Sequence, residues 1–320
     1  MANDSAEWLF ERGIGEDRAI LIENDRVIAA KCRWPGELSA GLAIDVKLVR
    51  KNGSRGFGET TDGRGVMLDR LPRDASEGEM RQVIVTRGPI AERGRYKLAS
   101  ARPPEAVSAA GFDPFVSGKE VRRFATGLWE EIWTSASQGT IAFPGGSLLF
   151  SATPAMTLVD IDGDLAPRQL ALAAVGEIAT ALRQFDLGGS IGIDFPTLQA
   201  KEDRKAVDAA LDLALAEWPH ERTAMNGFGF VQLVARLEGP SLLHRFISSR
   251  VGMCARLALR KGEQAEGAGR ALLLTVHPAL NAKLKEEWIA ELARRTGKEV
   301  RIASDPALVL EAPQAQIISL

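Results

Sequence analysis

The feature that most restricts the fold lies between residues 157 and 218. An apolar run ending in acids, "TLVDIDGD", precedes "PRQLALAAVGEIATALRQFDLGG", whose apolar residues recur at helical spacing up to Gly188. Next come "SIGID", which reads as a buried strand, and "KEDRKAVDAALDLALAEW", a second helical pattern. Two strands separated by a long helix do not close into a hairpin. They form a crossover unit, in which parallel pairing brings their C-terminal ends to one edge of a sheet. That edge is where α/β proteins place their ligand sites. Both strands end in acids: Asp162 and Asp164 on the first, Asp194 on the second.

Within the first strand Asp160, Asp162 and Asp164 alternate with other residues. Positions i, i+2 and i+4 of an extended chain project to one face, so the three acids are expected there together. Clustered, unpaired carboxylates repel, and a divalent cation bound through oxygen relieves them. The alternative is an acidic turn at a strand end, where Asp and Gly are common anyway. Asp194 tips the balance toward the ion, with Asp162 and Asp194 holding it between them.

Upstream, residues 18–102 read as short strands cut by turns. "RAILIENDRVIAAKCRW" is a hairpin turning at Glu23-Asn24-Asp25, and later strands are separated by Gly-rich breaks, with Asn52-Gly53 marking a tight turn. This pattern suggests a small barrel of OB type. Its basic loops carry Lys47, Arg55 and Arg64, and Phe57 lies among them, either as a platform for a base or as part of the barrel core.

"ARPPEAVSAAGFDPF" is a linker. After it, Val121, Phe124, Leu128 and Ile132 predict a helix, with Ser117 and Glu120 as its capping box. Beyond Trp218, "ERTAMNGFGFVQLVARL" reads as a strand entering a helix through the Asn226-Gly227-Phe228-Gly229 turn. An Arg-bearing helix and a strand–helix–strand unit with Gly297 at the helix C-cap complete the chain.

Composition removes several classes. The 320 residues are 45% hydrophobic and 26% charged, as in an ordinary globular protein. A net charge of −2 gives no global attraction to nucleic acid, so any such binding needs a local basic surface. No apolar stretch has membrane-spanning length, and "MANDSAEWLFERGIGEDR" lacks a signal peptide's order, so a cytoplasmic location is expected. Cys32 and Cys254 have no partners at disulfide-framework or metal-ligand spacing, and are expected to be small buried hydrophobes. His220, His244 and His277 form no metal or triad motif.

Two resemblances bear on the acids. "VDIDGDL" resembles the first motif of haloacid-dehalogenase-type phosphatases, which would make Asp160 a nucleophile and Asp162 a general acid. It covers seven residues, has Asp164 at the Thr position, and is not followed by that family's later motifs. A second resemblance spans most of the chain. "FPGGSLLFSATPAMTLVDIDGD", "ALRQFDLGGSIGIDFPTL" and "FGFVQLVARLEGPSL", in this order, look like the catalytic region of the RNase E/G family, and "VHPALNAKL…GKEVRIASDPAL" resembles the small domain after it.

This second resemblance implies an α+β multidomain chain: a hairpin and OB-type RNA-binding barrel (1–102), a linker and helix (103–138), a DNase I-like catalytic α/β domain (139–245) and a small C-terminal α/β domain (246–320). It implies an endoribonuclease for single-stranded RNA, with Mg2+ (or Mn2+) on Asp162 and Asp194, hydrolysing phosphodiesters to 5′-phosphate and 3′-hydroxyl ends. The basic loops read above would grip RNA through Lys47, Arg55, Phe57 and Arg64, and Asp164 would either join the catalytic group as a third metal ligand or repel the substrate.

The departures are specific. Asp164 stands where the family has Asn, Asp160 where it has a small polar residue, Gly227 where it has Arg, and Gln232 where it has Glu. Between residues 102 and 139 there is no room for the domain-sized insertion that reads a 5′-monophosphate in the family. The Cys-Pro-x-Cys zinc link is absent, so no structural zinc is expected and a homo-oligomer would not be joined through one. A catalytically weakened RNA-binding protein of the same fold is the second reading, and the phosphatase the third. Buried strand-end acids would be costly without a metal, which favours the enzyme.

Overall fold

A computed structural model describes residues 6–92, 94–107 and 112–319. It is a mixed α+β structure with a closed five-stranded barrel, several sheets and, among the described residues, seven α-helices. The crossover deduced from the sequence organises its centre. Strand Thr157–Gly163 runs into helix Pro167–Gln184 and returns as strand Gly189–Asp194, paired in parallel with the first. These two lie inside a six-stranded sheet whose order is Thr140–Phe143, Gly146–Ala152, Thr157–Gly163, Gly189–Asp194, Phe230–Ala235 and His220–Arg222.

One face of this sheet is covered and the other is open. Leu148, Val159, Ile161, Ile191, Ile193, Val231 and Leu233 are buried in one cluster with Leu170, Ala174, Ile178 and Leu182 of the crossover helix. Full burial of each Leu or Ile side chain stabilises the fold by roughly 1.5–3 kcal/mol. The same cluster takes in Ile14, Ile20 and Val27 of the N-terminal hairpin, and Leu272, Leu274 and Leu292 near the C-terminus. The barrel has its own core, centred on Val46, Leu48, Val66, Leu68, Val83 and Val85.

The barrel consists of Ala43–Asn52, Arg55–Thr60, Gly65–Leu68, Met80–Arg87 and Ala99–Arg102. Segments next to its strands meet the loops of the central sheet: Gly88 N–H donates to Glu238 O at 2.8 Å, and the Arg95 guanidinium, in a two-stranded ribbon (Ile90–Glu92 and Arg95–Lys97) between the last two barrel strands, donates to Pro154 O at 2.5 Å. Pro154 lies in the turn before Thr157, so this attachment is at the sheet edge opposite the acids.

Three local expectations change. No capping box forms at Ser117 and Glu120: Lys119–Glu120 is a short strand beside Glu7–Arg12, and the helix spans Leu128–Gln138. Gly127, at φ +99°, precedes it, and Glu130 accepts the Gly127 N–H at 3.1 Å. The crossover helix ends at Gln184 rather than Gly188, and Asp186 takes the left-handed φ of +52°. The third change bears on the site: Phe230–Ala235 is a strand, not a helix, paired with His220–Arg222 and with Gly189–Asp194.

Candidate active site on the open sheet face

The turn before Phe230 shows why the strand forms. The Asn226 side-chain oxygen accepts the N–H groups of Phe228 at 2.9 Å and Phe230 at 3.1 Å, so the chain folds back instead of starting a helix. Gly229 has φ +91°, and any Cβ there would collide with the Phe195 carbonyl. Gly229 O in turn accepts the Phe195 N–H at 3.1 Å, holding the turn beside Asp194.

Register then determines which side chains share the open face. Asp160 is opposite Asp194, Asp194 is opposite Phe230, and Leu149 is opposite Asp160, forming one row across four strands. Ser147 and Asp162 lie two residues toward the acidic edge. Leu158, Gly192 and Gln232 form the row on the other side. Val159 and Ile161 are buried while Asp160 and Asp162 are exposed, so the alternation read from the sequence is present.

Asp164 departs from it. The strand ends at Gly163, and Asp164 lies in the following bend with its N–H donating to Gly145 O at 3.2 Å. It still lines, with Asp162, Gly145, Gly146, Ser147 and Gly163, an open depression of about 450 Å3 at the strand end.

Asp160, Asp162, Asp164 and Asp194 are all exposed. The expectation that burial forces a metal on them is therefore corrected, and what remains is mutual repulsion. None of the four pairs with a Lys, Arg or His among the described residues, although such pairs are frequent elsewhere on the surface. Nor do three or more His, Cys, Asp or Glu converge as a closed metal cage among the described residues. Strands about 4.8 Å apart with a rise of about 3.3 Å per residue put the Asp162 and Asp194 Cα atoms roughly 8 Å apart on the diagonal. Two carboxylates at that spacing can reach one cation. Asp160 is nearer Asp194, directly across the strand pair, a position that spacing within one strand did not reveal.

The barrel residues separate by role. Phe57 lies outside the barrel core: its ring covers Gly65, where a Cβ would be 2.9 Å from Phe57 Cε2. Lys47 is exposed, without an ion pair among the described residues. Arg55 is 81% exposed, with Asp69 at 3.9 Å. Arg64 is tied down, donating to Gly36 O at 2.7 Å and pairing with Asp62 at 2.8 Å. The cysteines are quiet. Burial pushes the Cys254 thiol up to about 12 and raises the Cys32 thiol as well. No helix among the described residues is long and apolar enough to cross a membrane.

Comparison with known proteins agrees with the longer of the two resemblances. Ribonuclease E of Escherichia coli (strain K12) is 27% identical over 192 residues, which cover 55% of this chain and 17% of that protein. The model of the ribonuclease E/G family matches residues 67–236, just over half of the chain. The match runs from the barrel through the first two motifs and into the third, and contains Asp162 and Asp194, while Lys47, Arg55, Phe57 and Arg64 precede it. The short phosphatase motif falls within it. This chain belongs to the ribonuclease E/G family.

Proposed function

We propose that this protein is a Mg2+-dependent endoribonuclease acting on single-stranded RNA in the cytoplasm, with an OB-type RNA-binding barrel (1–102), a linker and helix (103–138), a DNase I-like catalytic α/β domain (139–245) and a small C-terminal domain (246–320). The observation that carries the reading is the parallel pairing that brings Asp162 and Asp194 to one open sheet edge, without a cationic partner among the described residues. The donor set suits Mg2+, which takes hard oxygen ligands and is commonly held by one or two carboxylates, with waters and substrate phosphates completing its shell. Mn2+ would fit the same donors. Bound there, the metal would supply Lewis-acid polarisation of a phosphate oxygen and a lowered pKa for an attacking water.

The chain's own groups do the rest. Asp162 and Asp194 hold the charge in place from two rigid neighbouring strands. Asp164, at the lip of the same depression, is the third member of the catalytic group. An RNA strand gripped by Lys47, Arg55, Phe57 and Arg64 would run along the open face toward the acids. The path from the barrel edge at Thr157 to Asp162 is roughly 15–20 Å, a few nucleotides of extended chain.

Gly227 and Gln232 favour the second reading, an RNA-binding protein with weakened catalysis, because both replace charged groups of the family motif. One experiment separates the two. Purified protein is incubated with single-stranded RNA, and with a small phosphate monoester, in Mg2+ and in EDTA. Cleavage of RNA alone, abolished by EDTA, is expected. RNA binding without cleavage would establish the weakened form, and monoester hydrolysis would overturn both.

A further inference from the structure

The open face carries an aromatic ring that the metal-centred reading does not use. Phe230 is directly opposite Asp194, and Gly192 is diagonal to it on the same strand as Asp194. A Cβ added to Gly192 would be 2.5 Å from Phe230 Cζ, 3.0 Å from its Cε2 and 3.1 Å from Leu158 Cδ2. A ring standing up from the sheet would hold Cζ far above the backbone. For its tip to come this close to Gly192, the ring must lean across the sheet, with its Cζ–Cε2 edge over Gly192. Phe230 is accordingly half-buried. Gly192 has no side chain to prop the ring up, and Leu158 borders it on the far side.

Three neighbours give this surface a direction. Asp194 is one strand spacing away, about 4.8 Å. Phe228, 83% exposed, stands at the tip of the Asn226 turn. Gln232, opposite Gly192, donates through Nε2 to Ser190 Oγ at 3.2 Å, and its Oε1 accepts no hydrogen bond among the described residues. A half-buried aromatic ring, an amide acceptor at its margin and carboxylates one and two strands away, which on the nuclease reading would hold a metal for the phosphate, match one nucleotide: base, base edge and backbone.

We propose that Phe230 is a stacking platform for the nucleobase next to the scissile phosphate, which makes it a substrate-positioning residue of this chain. The inference rests on the nuclease reading above. Stacking on an aromatic face tolerates every base, because each has a π-face, and it requires a base free of its duplex partner. The platform would therefore select single strands at the point of cleavage, independently of the barrel.

The test uses the full chain and a single-stranded oligoribonucleotide whose cleavage site has been mapped with the unmodified protein. Phe230→Leu keeps apolar volume but removes the ring, and should raise KM about tenfold with little change in kcat. Phe230→Tyr should restore the parent's KM. An abasic residue beside the mapped phosphate should cost the parent the same factor, and should cost Phe230→Leu nothing further. Equal KM for Phe230→Leu and the parent, or penalties that multiply, would overturn the platform. If Phe230→Leu misfolds by circular dichroism, the abasic substrate on the parent decides: no penalty on either side of the phosphate overturns the proposal. A dimer that dissolves in Phe230→Leu while KM stays constant would assign the face to a protein interface and also overturn it. A parent that neither binds nor cuts RNA removes the nuclease reading, and this inference with it.

Discussion

Replacing Asp162 by Asn should stabilise the metal-free protein and cost it stability relative to the parent once Mg2+ is added. The magnitude follows from the sheet geometry. Asp160 is two residues away along the strand, about 7 Å, and Asp194 is about 8 Å away on the diagonal; Asp164 lines the same depression. Between exposed charges at these separations the repulsion is roughly 0.6 kcal/mol in bulk water and about half that or less at physiological salt. Removing one charge then relieves about 1 kcal/mol at low ionic strength, on the order of 2 °C in the unfolding midpoint. Mg2+ acts in the opposite direction. At ten times its Kd the ion stabilises the parent by about 1.4 kcal/mol, and a site with one of its two carboxylates neutralised gains much less. The two melting curves should therefore change order. Thermal unfolding of parent and variant, in buffer of low ionic strength, with MgCl2 or with NaCl matched for ionic strength, measures this without reference to activity. Asp194→Asn should behave alike. Equal upward shifts of parent and variant with Mg2+, or no shift in the parent, would refute the shared-ion argument.

Three further outcomes are expected. Alanine at Arg55, Phe57 and Arg64 together should weaken binding of single-stranded RNA and flatten its salt dependence, read from titrations at several salt concentrations; unchanged affinity would make these loops structural only. Gly227→Arg should tighten RNA binding by about tenfold through a charge-assisted bond to phosphate, and the fold should tolerate it, because a Cβ at Gly227 meets nothing within 4 Å. Asp164→Asn should raise the Mg2+ concentration needed for half-maximal cleavage, since a charged oxygen is exchanged for a neutral one; a faster variant with an unchanged metal requirement would instead mean that Asn donates better to phosphate or water.

The parts of the fold legible in the sequence were those fixed by local pattern. The crossover from Thr157–Gly163 to Gly189–Asp194 could be read because an 18-residue amphipathic helix between two apolar runs leaves parallel pairing as the economical solution. The hairpin turn at Asn24 and Asp25 could be read because both residues tolerate the left-handed φ values, +49° and +59°, found there. Phe230–Ala235 could not. "FVQLVA" satisfies helical and strand periodicity over so short a run, and its hairpin partner, His220–Arg222, has only three residues. What decides it is the Asn226 side chain capturing two backbone N–H groups, a polar event that apolar periodicity does not report. Equally invisible was that the N-terminal hairpin packs into the central core rather than the barrel's, since those contacts join residues far apart in sequence.

The site shows the same division one level down. Spacing within a strand selects a face, so Asp160 and Asp162 were bound to appear together once the strand existed. Spacing cannot say which of them stands beside Asp194, because that depends on where the crossover helix delivers the returning strand. One pair of residues of slip along the strand would have put Asp162 directly opposite Asp194; instead Asp160 is there, and the expected pair is a diagonal. A diagonal pair leaves a gap between its carboxylates that a cation and its waters can occupy, whereas the direct neighbour Asp160 mainly adds repulsion that a bound cation would offset. The pairing with the next strand puts Phe230 level with Asp160 and Asp194 and leans its ring toward Gly192, in the row away from Asp162. Asp160 and Gln232, two of the departures named above, thus lie on the open face with Asp162 and Asp194, and Gly227 lies in the turn held beside Asp194. On the nuclease reading proposed above, divergence at Asp160, Gly227 and Gln232 would alter how RNA is held around the acidic edge, while the parallel pairing of Thr157–Gly163 with Gly189–Asp194 creates that edge.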